Sequence, residues 1–309
     1  MINRRQLLKV LGVTTGMSFL PRISEAELSP ASANAFSYCL NMATIRGHNL
    51  GFMKELEVAS NAGFRAVEIW IDSLKTYLDN GGKLTEVKKR LDDLGLKVES
   101  AIGFAQWIAE DEAKRKEGLL QMQREMELLA QIGCKRTAAP PMGATEAPVL
   151  DLKRVAERYR AILDLGDKTG VVPQLEMWSF SKNLSRVSDV MYAALESGHP
   201  SARVLLDIFH LYKGGSSIDT LPLISNSAIE ILHINDYPAN LSASAITDAN
   251  RIYPGDGVAP IGPILHTLQN QERPLIISFE VFNRNYYTKD ALQVAKTALA
   301  KMKTVTAGI

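Results

Sequence analysis

Four apolar runs in the second half of the chain each end in a side chain able to hold a proton or a cation. Val171-Val-Pro-Gln-Leu leads into Glu176 and Arg203-Val-Leu-Leu into Asp207. Ala228-Ile-Glu-Ile-Leu leads into His233, and Pro274-Leu-Ile-Ile-Ser-Phe into Glu280. Short runs rich in Val, Leu and Ile read as strands buried on both faces. One such ending means little, because a lone Glu at a strand end is usually a solvated carboxylate and a lone His a satisfied polar residue. Four in series imply parallel strands that deliver Glu176, Asp207, His233 and Glu280 to one rim. Two Glu, one Asp and one His make an oxygen-rich set with a single nitrogen. Such a set suits one divalent ion, Mn²⁺, Co²⁺ or Mg²⁺ and less specifically Zn²⁺, with positions left open for substrate oxygens. His210 follows Asp207 closely enough to orient a ligand or bind a substrate hydroxyl.

The elements that must hold these residues alternate along the chain. Strands are expected at Phe36–Met42, Arg65–Ile71, Leu96–Ile102 and Cys134–Ala139, then at the four runs above. Helices are expected from about Leu50 to Asn61, Leu84 to Leu94, Asp111 to Ile132, Leu152 to Thr169 and Leu184 to Ser197. Three more are expected near Ile218–Ser225, over Ile261–Gln269 and over Lys289–Met302. Gly63, Gly95, Gly133 and Gly170 close four of them. Eight strand–helix units in a chain of this length fit a (β/α)8 TIM barrel, typically about 250 residues. The competing doubly wound sheet announces a Gly-rich loop after its first strand, and Ala43-Thr-Ile-Arg-Gly-His48 is not one. Barrel geometry explains the four endings, since parallel strands bring their carboxyl ends to one face. The long loop from Tyr237 to Ala259 suggests function or a lid. His48 follows the first strand and could reach the mouth. His199 lies on the opposite side, and His266 is inside a helix.

Composition narrows the function. The 309 residues are 46% hydrophobic, enough for one large domain, and the net charge is +1. Nothing there favours nucleic acid or an acidic membrane. Cys39 and Cys134 match no metal spacing and read as buried free thiols, with a disulfide the alternative. At the amino terminus, Arg4-Arg5 precedes an apolar run from Val10 to Leu20, and small-residue sites follow up to Ala35. This order is that of a twin-arginine export signal, with cleavage near Ala35 and delivery by the twin-arginine machinery to the periplasm. The run is short of the roughly 20 residues that a membrane span needs. Residues 1–35 are read as the signal and residues 36–309 as a single barrel domain. The sequence is compatible with a homo-oligomer and does not fix the assembly.

Several stretches carry a family resemblance. They are Leu40-Asn-Met-Ala-Thr44, Leu206-Asp-Ile-Phe-His210, His233-Ile-Asn-Asp236, Asp248-Ala-Asn-Arg-Ile-Tyr-Pro-Gly-Asp-Gly257 and Glu280-Val-Phe-Asn-Arg-Asn-Tyr-Tyr287. Over Phe36 to Met302 the chain resembles the sugar-phosphate isomerase/epimerase superfamily, with its xylose isomerase-like barrel, and within it the inosose (2-keto-myo-inositol) isomerases. The resemblance implies that Glu176, Asp207, His233 and Glu280 bind the metal and that His210 and Arg251 contact substrate. Related ketose 3-epimerases carry an Arg where this chain has Ala239, so the cationic role passes to Arg251. The superfamily's endonucleases need a His-rich trinuclear cluster, which two strand-end histidines do not supply.

The implied reaction moves a proton between adjacent carbons of a keto-polyol or ketose through an enediolate. Glu176 and Glu280 take and return the proton, while His210 and Arg251 stabilise charge on the oxygens. Trp70 and Trp178 offer an apolar wall to a sugar or cyclitol ring, or pack ordinarily. Glu68 is a rim residue that hydrogen-bonds substrate. Two other readings are an exported lyase or hydrolase of 3-keto-glycosides and a polyol-binding module without turnover. Export has its own test. Replacing both Arg4 and Arg5 with Lys is expected to hold the precursor in the cytoplasm, and unchanged delivery to the periplasm would contradict a twin-arginine signal.

Overall fold

The computed structural model describes residues 35–309, apart from 147 and 271, so the expected export signal, including Arg4 and Arg5, lies outside the described residues. Eight strands form: β1 (Phe36–Asn41), β2 (Ala66–Trp70), β3 (Lys97–Ile102), β4 (Arg136–Ala139), β5 (Val172–Glu176), β6 (Val204–Asp207), β7 (Ile231–Ile234) and β8 (Leu275–Phe279). Between β1 and β4 come α1 (Ala43–Arg46), α2 (Phe52–Ala62), α3 (Ile71–Asp79), α4 (Leu84–Leu94) and α5 (Glu112–Gln131). Next are α6 (Leu152–Thr169), α7 (Val187–Glu196), α8 (Ile208–Lys213), α9 (Ile261–Leu268), α10 (Arg284–Tyr287) and α11 (Ala291–Val305). Gly63 and Gly170 end α2 and α6 with φ of 100° and 73°, a conformation that glycine adopts without strain.

All the strand pairs are parallel. The hydrogen-bonded order is β3-β2-β1-β8-β7-β6-β5-β4, which leaves a seam between β3 and β4. Side chains stitch the seam: Thr137 Oγ1 donates to the Ala101 carbonyl at 3.1 Å, and Arg136 Nη1 reaches Glu99 Oε2 at 3.1 Å. The result is the expected TIM barrel, closed except at that seam.

Strand register sorts the barrel interior into layers. In the middle, Cys39, Ala66, Ala138, Leu205, Ile231 and Ile276 form an apolar cluster distinct from the larger one between strands and helices. Side chains at i and i+2 share a face of a strand, so the next inward layer holds Asn41, Glu68, Asp207, His233 and Ser278. Register sets Asn41 beside Glu68, Asp207 beside His233 and His233 beside Ser278. Toward the amino-terminal ends, Glu99, Arg136, Glu230 and Arg203 form a chain of ion pairs. Both cysteines are buried and free. No helix among the described residues is long and apolar enough to cross a membrane.

Local structure departs from the expectation in four added helices, α1, α3, α8 and α10, and in one expected helix that is a 3₁₀ turn. Helices α3 and α8 begin directly at the ends of β2 and β6, with no intervening loop. Asp207 accounts for the second, because its carboxylate accepts the His210 backbone N–H at 3.1 Å and caps α8 while closing β6. The expected helix near Ile218–Ser225 is a 3₁₀ turn, Ile218–Leu223, with Pro222 inside it.

Candidate active site

The side chains at the strand ends meet in a buried cluster. Ligand atoms of Asp207, His233 and Glu280 all lie within 4.8 Å of one another. His233 Nδ1 is 3.3 Å from Glu280 Oε2 and 3.6 Å from Asp207 Oδ2. Glu176, the fourth member of the expected set, stands outside this group. It remains in the same mouth, where burial, together with Glu280, Glu68 and Asp207 and against the pull of His233, pushes its carboxyl up to about 8.

Glu68 corrects its expected place at the rim. It is fully buried beside His233, bonded to protein side chains rather than open to solvent. Its Oε2 accepts from His233 Nε2 at 2.9 Å, from Ser278 Oγ at 2.7 Å and from Asn41 Nδ2 at 3.0 Å. The consequence is orientational. With Nε2–H given to Glu68, Nδ1 is the ring nitrogen turned toward Asp207 and Glu280, and Nδ1 has no hydrogen-bond partner. Burial lowers the affinity of this imidazole for a proton, but Glu68, Glu280 and Asp207 outweigh it and hold the ring well above its ordinary pKa. Burial likewise raises the Glu68 carboxyl, and His233 and Ser278 more than offset it.

Arg251 enters from the loop after β7 and is 1% exposed. Its Nη1 donates to Asp207 Oδ2 at 2.6 Å and Glu280 Oε2 at 2.9 Å. Nη2 lies 3.2 Å from His210 Nε2, and His210 Nδ1 is 2.8 Å from Ser179 Oγ. A guanidinium only donates, so Nε2 of His210 accepts and its proton sits on Nδ1, directed at Ser179. Burial, reinforced by the Arg251 charge, pushes the His210 imidazole down to about 4 and keeps it neutral. The same ion pairs raise the Arg251 guanidinium and hold the Asp207 carboxyl far below its usual range, each against the effect of burial.

The Arg251 loop is clasped by Asp236, which follows β7. Its carboxylate accepts the backbone N–H groups of Tyr237 at 2.8 Å, Gly255 and Gly257 at 2.9 Å and Ala259 at 2.8 Å. Gly257 approaches so closely that an added Cβ would clash with Asp236 Oδ1 and the Tyr237 carbonyl. The long loop is therefore folded onto the barrel mouth rather than free above it.

An arc of aromatic rings borders the polar centre. Trp70 meets Phe104 at 5.3 Å and Phe282 at 6.1 Å between centroids. On the other side Trp178, Phe180 and Phe209 follow one another at 6.4 and 5.9 Å. The Arg251 guanidinium joins the halves, 4.4 Å from the Phe209 ring and 5.4 Å from that of Phe282. Trp70 and Trp178 thus belong to the wall of the mouth, and Trp70 Nε1 also donates to Asn41 Oδ1 at 3.2 Å. His48 does not reach the centre. It ties the Ile45 carbonyl to that of Lys289 at 3.0 and 2.9 Å. Asn41, Asn235, Asp236 and Asp248 lie in the stretches that carry the family resemblance but have no individual role in the sequence reading, and Ser179 lies outside those stretches.

The family model for xylose isomerase-like TIM barrels matches residues 56–305. The chain belongs to that family. Among curated members of known name, the inosose isomerase of Halalkalibacterium halodurans is 27% identical over 265 residues, 84% of this chain and 93% of that protein. The 3-dehydro-D-guloside 4-epimerase of Escherichia coli is 23% identical over 236 residues, 72% and 84% of the two chains. The crystal structure of the IolI protein with a bound zinc atom superposes with a TM-score of 0.81 at 23% identity, over 88% of this chain and 98% of that one.

The donor set here fits a divalent cation on its own terms. Two carboxylate oxygens and an imidazole nitrogen, which would release its proton to take a cation, converge, and each side chain is oriented by a partner: His233 by Glu68, Asp207 by Asn235 and the His210 amide, Glu280 by Asn41. The clasp yields a prediction. Asp236→Asn removes the charge from a carboxylate that accepts several amide hydrogens, a loss of roughly 2 kcal/mol of stability. Hydrogen exchange at Gly255, Gly257 and Ala259 should accelerate with exchange in the strands little changed, and unaltered protection at these amides would show that the loop does not depend on Asp236.

Proposed function

We propose that this protein is a divalent-metal-dependent isomerase or epimerase of a keto-polyol or ketose, moving a proton between adjacent carbons. The observation that carries the reading is the convergence of His233 Nδ1, Asp207 Oδ2 and Glu280 Oε2, with the Glu176 carboxyl in the same mouth. The names of the relatives support it, since they describe isomerisation and epimerisation of a keto-cyclitol and a keto-glycoside.

Asp207, His233 and Glu280 would hold the ion, with Glu176 near enough in the barrel mouth to complete the set. A bound divalent cation polarises a ketone and the neighbouring hydroxyl and so acidifies the C–H between them. Burial keeps the Glu176 carboxyl protonated at neutral pH, and once ionised beside the cation it would accept that proton. Glu280 keeps Oε1 on the Asn41 amide, and serves on the other side of the carbon pair. His210 is neutral with its Nε2 lone pair engaged by Arg251, so in the resting site it orients the guanidinium. Arg251, held in place by His210, supplies positive charge that an enediolate requires. The aromatic arc offers ring faces to the C–H side of a polyol and sheds water from the mouth.

One observation favours a second reading, a keto-glycoside as the substrate. Phe104, at one end of the arc, and Phe180, between Trp178 and Phe209 in its other half, are 39% and 36% exposed. Solvent-facing rings beside a polar pocket provide a platform for a second ring.

Both readings are tested by the product. Metal-loaded protein is incubated in D₂O with an inosose, with ketoses and with 3-keto-glycosides, and the products are read by NMR. Deuterium next to the ketone with an isomeric ketone as product supports the isomerase. Release of the aglycone without conversion of inosose transfers the assignment to a lyase, and binding without exchange on any substrate to a non-catalytic polyol-binding protein. Glu176→Gln is expected to retain the metal and to lose about 10²–10⁴-fold in turnover; full turnover in that variant would exclude Glu176 as the base.

A further inference from the structure

The proposed metal ligands already hold a cation that belongs to the chain. Arg251 Nη1 bonds Asp207 Oδ2 and Glu280 Oε2. These are the same two oxygens that face His233 Nδ1. The guanidinium has a second anchor outside the cluster, because Asp248 Oδ1 accepts from Nη2 at 2.7 Å and from Nε at 2.9 Å. Asp248 is 35% exposed, whereas Asp207 and Glu280 are 1% and 7% exposed. One arginine is thus shared between a buried pair of carboxylates and a carboxylate at the surface.

We propose that Arg251 is a resident counter-ion that competes with the divalent cation for Asp207 and Glu280, and that metal entry passes its guanidinium to Asp248 and to the substrate. This rests on the metal reading given above. The physical basis is charge. Without a cation, two buried carboxylates side by side repel each other, and Arg251 removes that repulsion. A divalent ion on the same oxygens places like charges within a few ångströms inside a poorly screened barrel. The ion must overcome both the repulsion and the ion pairs that it replaces. Asp248 lowers that cost by keeping a partner on the released guanidinium. Binding then acquires an order: metal first, then substrate on an arginine that is no longer engaged below. The guanidinium lies between aromatic faces, 4.4 Å from the Phe209 ring and 5.4 Å from that of Phe282, which would border its path.

The two anchors predict effects of opposite sign, which a merely structural arginine would not give. Demetallated full-length protein is titrated with MnCl₂ by calorimetry, and the unfolding temperature is read with and without the ion. R251M removes the competitor with little change in volume. It should bind Mn²⁺ at least about tenfold tighter than wild type, and its metal-free form should melt at a lower temperature. D248N removes the outer anchor and should bind several-fold more weakly. Equal or weaker binding by R251M, with native circular dichroism, overturns the proposal, while one ion bound by wild type leaves the metal reading standing. If R251M does not fold, unchanged or tighter binding by D248N is sufficient to overturn it. Absence of bound ion in wild type and both variants removes the metal reading and this proposal with it.

Discussion

Negative charge enclosed at the carboxyl end of the barrel is the constraint on which the rest of this structure depends. Glu68, Glu176, Asp207 and Glu280 are all at least nine-tenths buried, and among the described residues only Arg251 and His233 stand in contact with them as cations. An unpaired buried carboxylate is far costlier than an exposed one. The surrounding polar groups answer that cost one by one. Asn41 and Ser278 solvate Glu68, Asn235 and the first turn of α8 solvate Asp207, and Asp236 pins down the loop that brings Arg251.

The barrel separates stability from chemistry along its axis. Apolar side chains fill its middle, and a polar layer lies above them. Below, the Glu99–Arg136–Glu230–Arg203 chain closes the other end and braces the seam between β3 and β4. Side chains at the amino-terminal face of such a barrel serve the fold, and those at the carboxyl face serve the reaction. The strain of concentrating like charges is therefore confined to one end, with well-paired ions at the other.

Much of the architecture was legible because it follows from local pattern. Apolar runs closed by glycine-capped helices gave eight strands in order, and their endings marked which face would matter. The same pattern could not show depth. Glu68 and Glu176 both end apolar strands, yet one is bonded to His233 and the other stands beside the cluster. The difference arises from the register between strands, including the shift at Val67/Glu68 against β3. Arg251 was recognisable as important from its loop, but not as a partner of Asp207, which is distant in sequence and reached only because Asp236 folds that loop back. Asp207 itself illustrates the limit. Its place at a strand end was evident, and its second task as the cap of α8 appears only with the helix.

The central claim is that Glu68 fixes His233 so that Nδ1, with Asp207 and Glu280, makes a cation site in the barrel mouth. Anomalous diffraction from crystals of the protein grown with Mn²⁺ or Zn²⁺ tests it most directly. The account predicts a single strong peak at about 2.0–2.3 Å from His233 Nδ1 and from one oxygen each of Asp207 and Glu280. A peak bound through His233 Nε2, or a fully occupied ion elsewhere with this cluster still bridged by Arg251 alone, would contradict it.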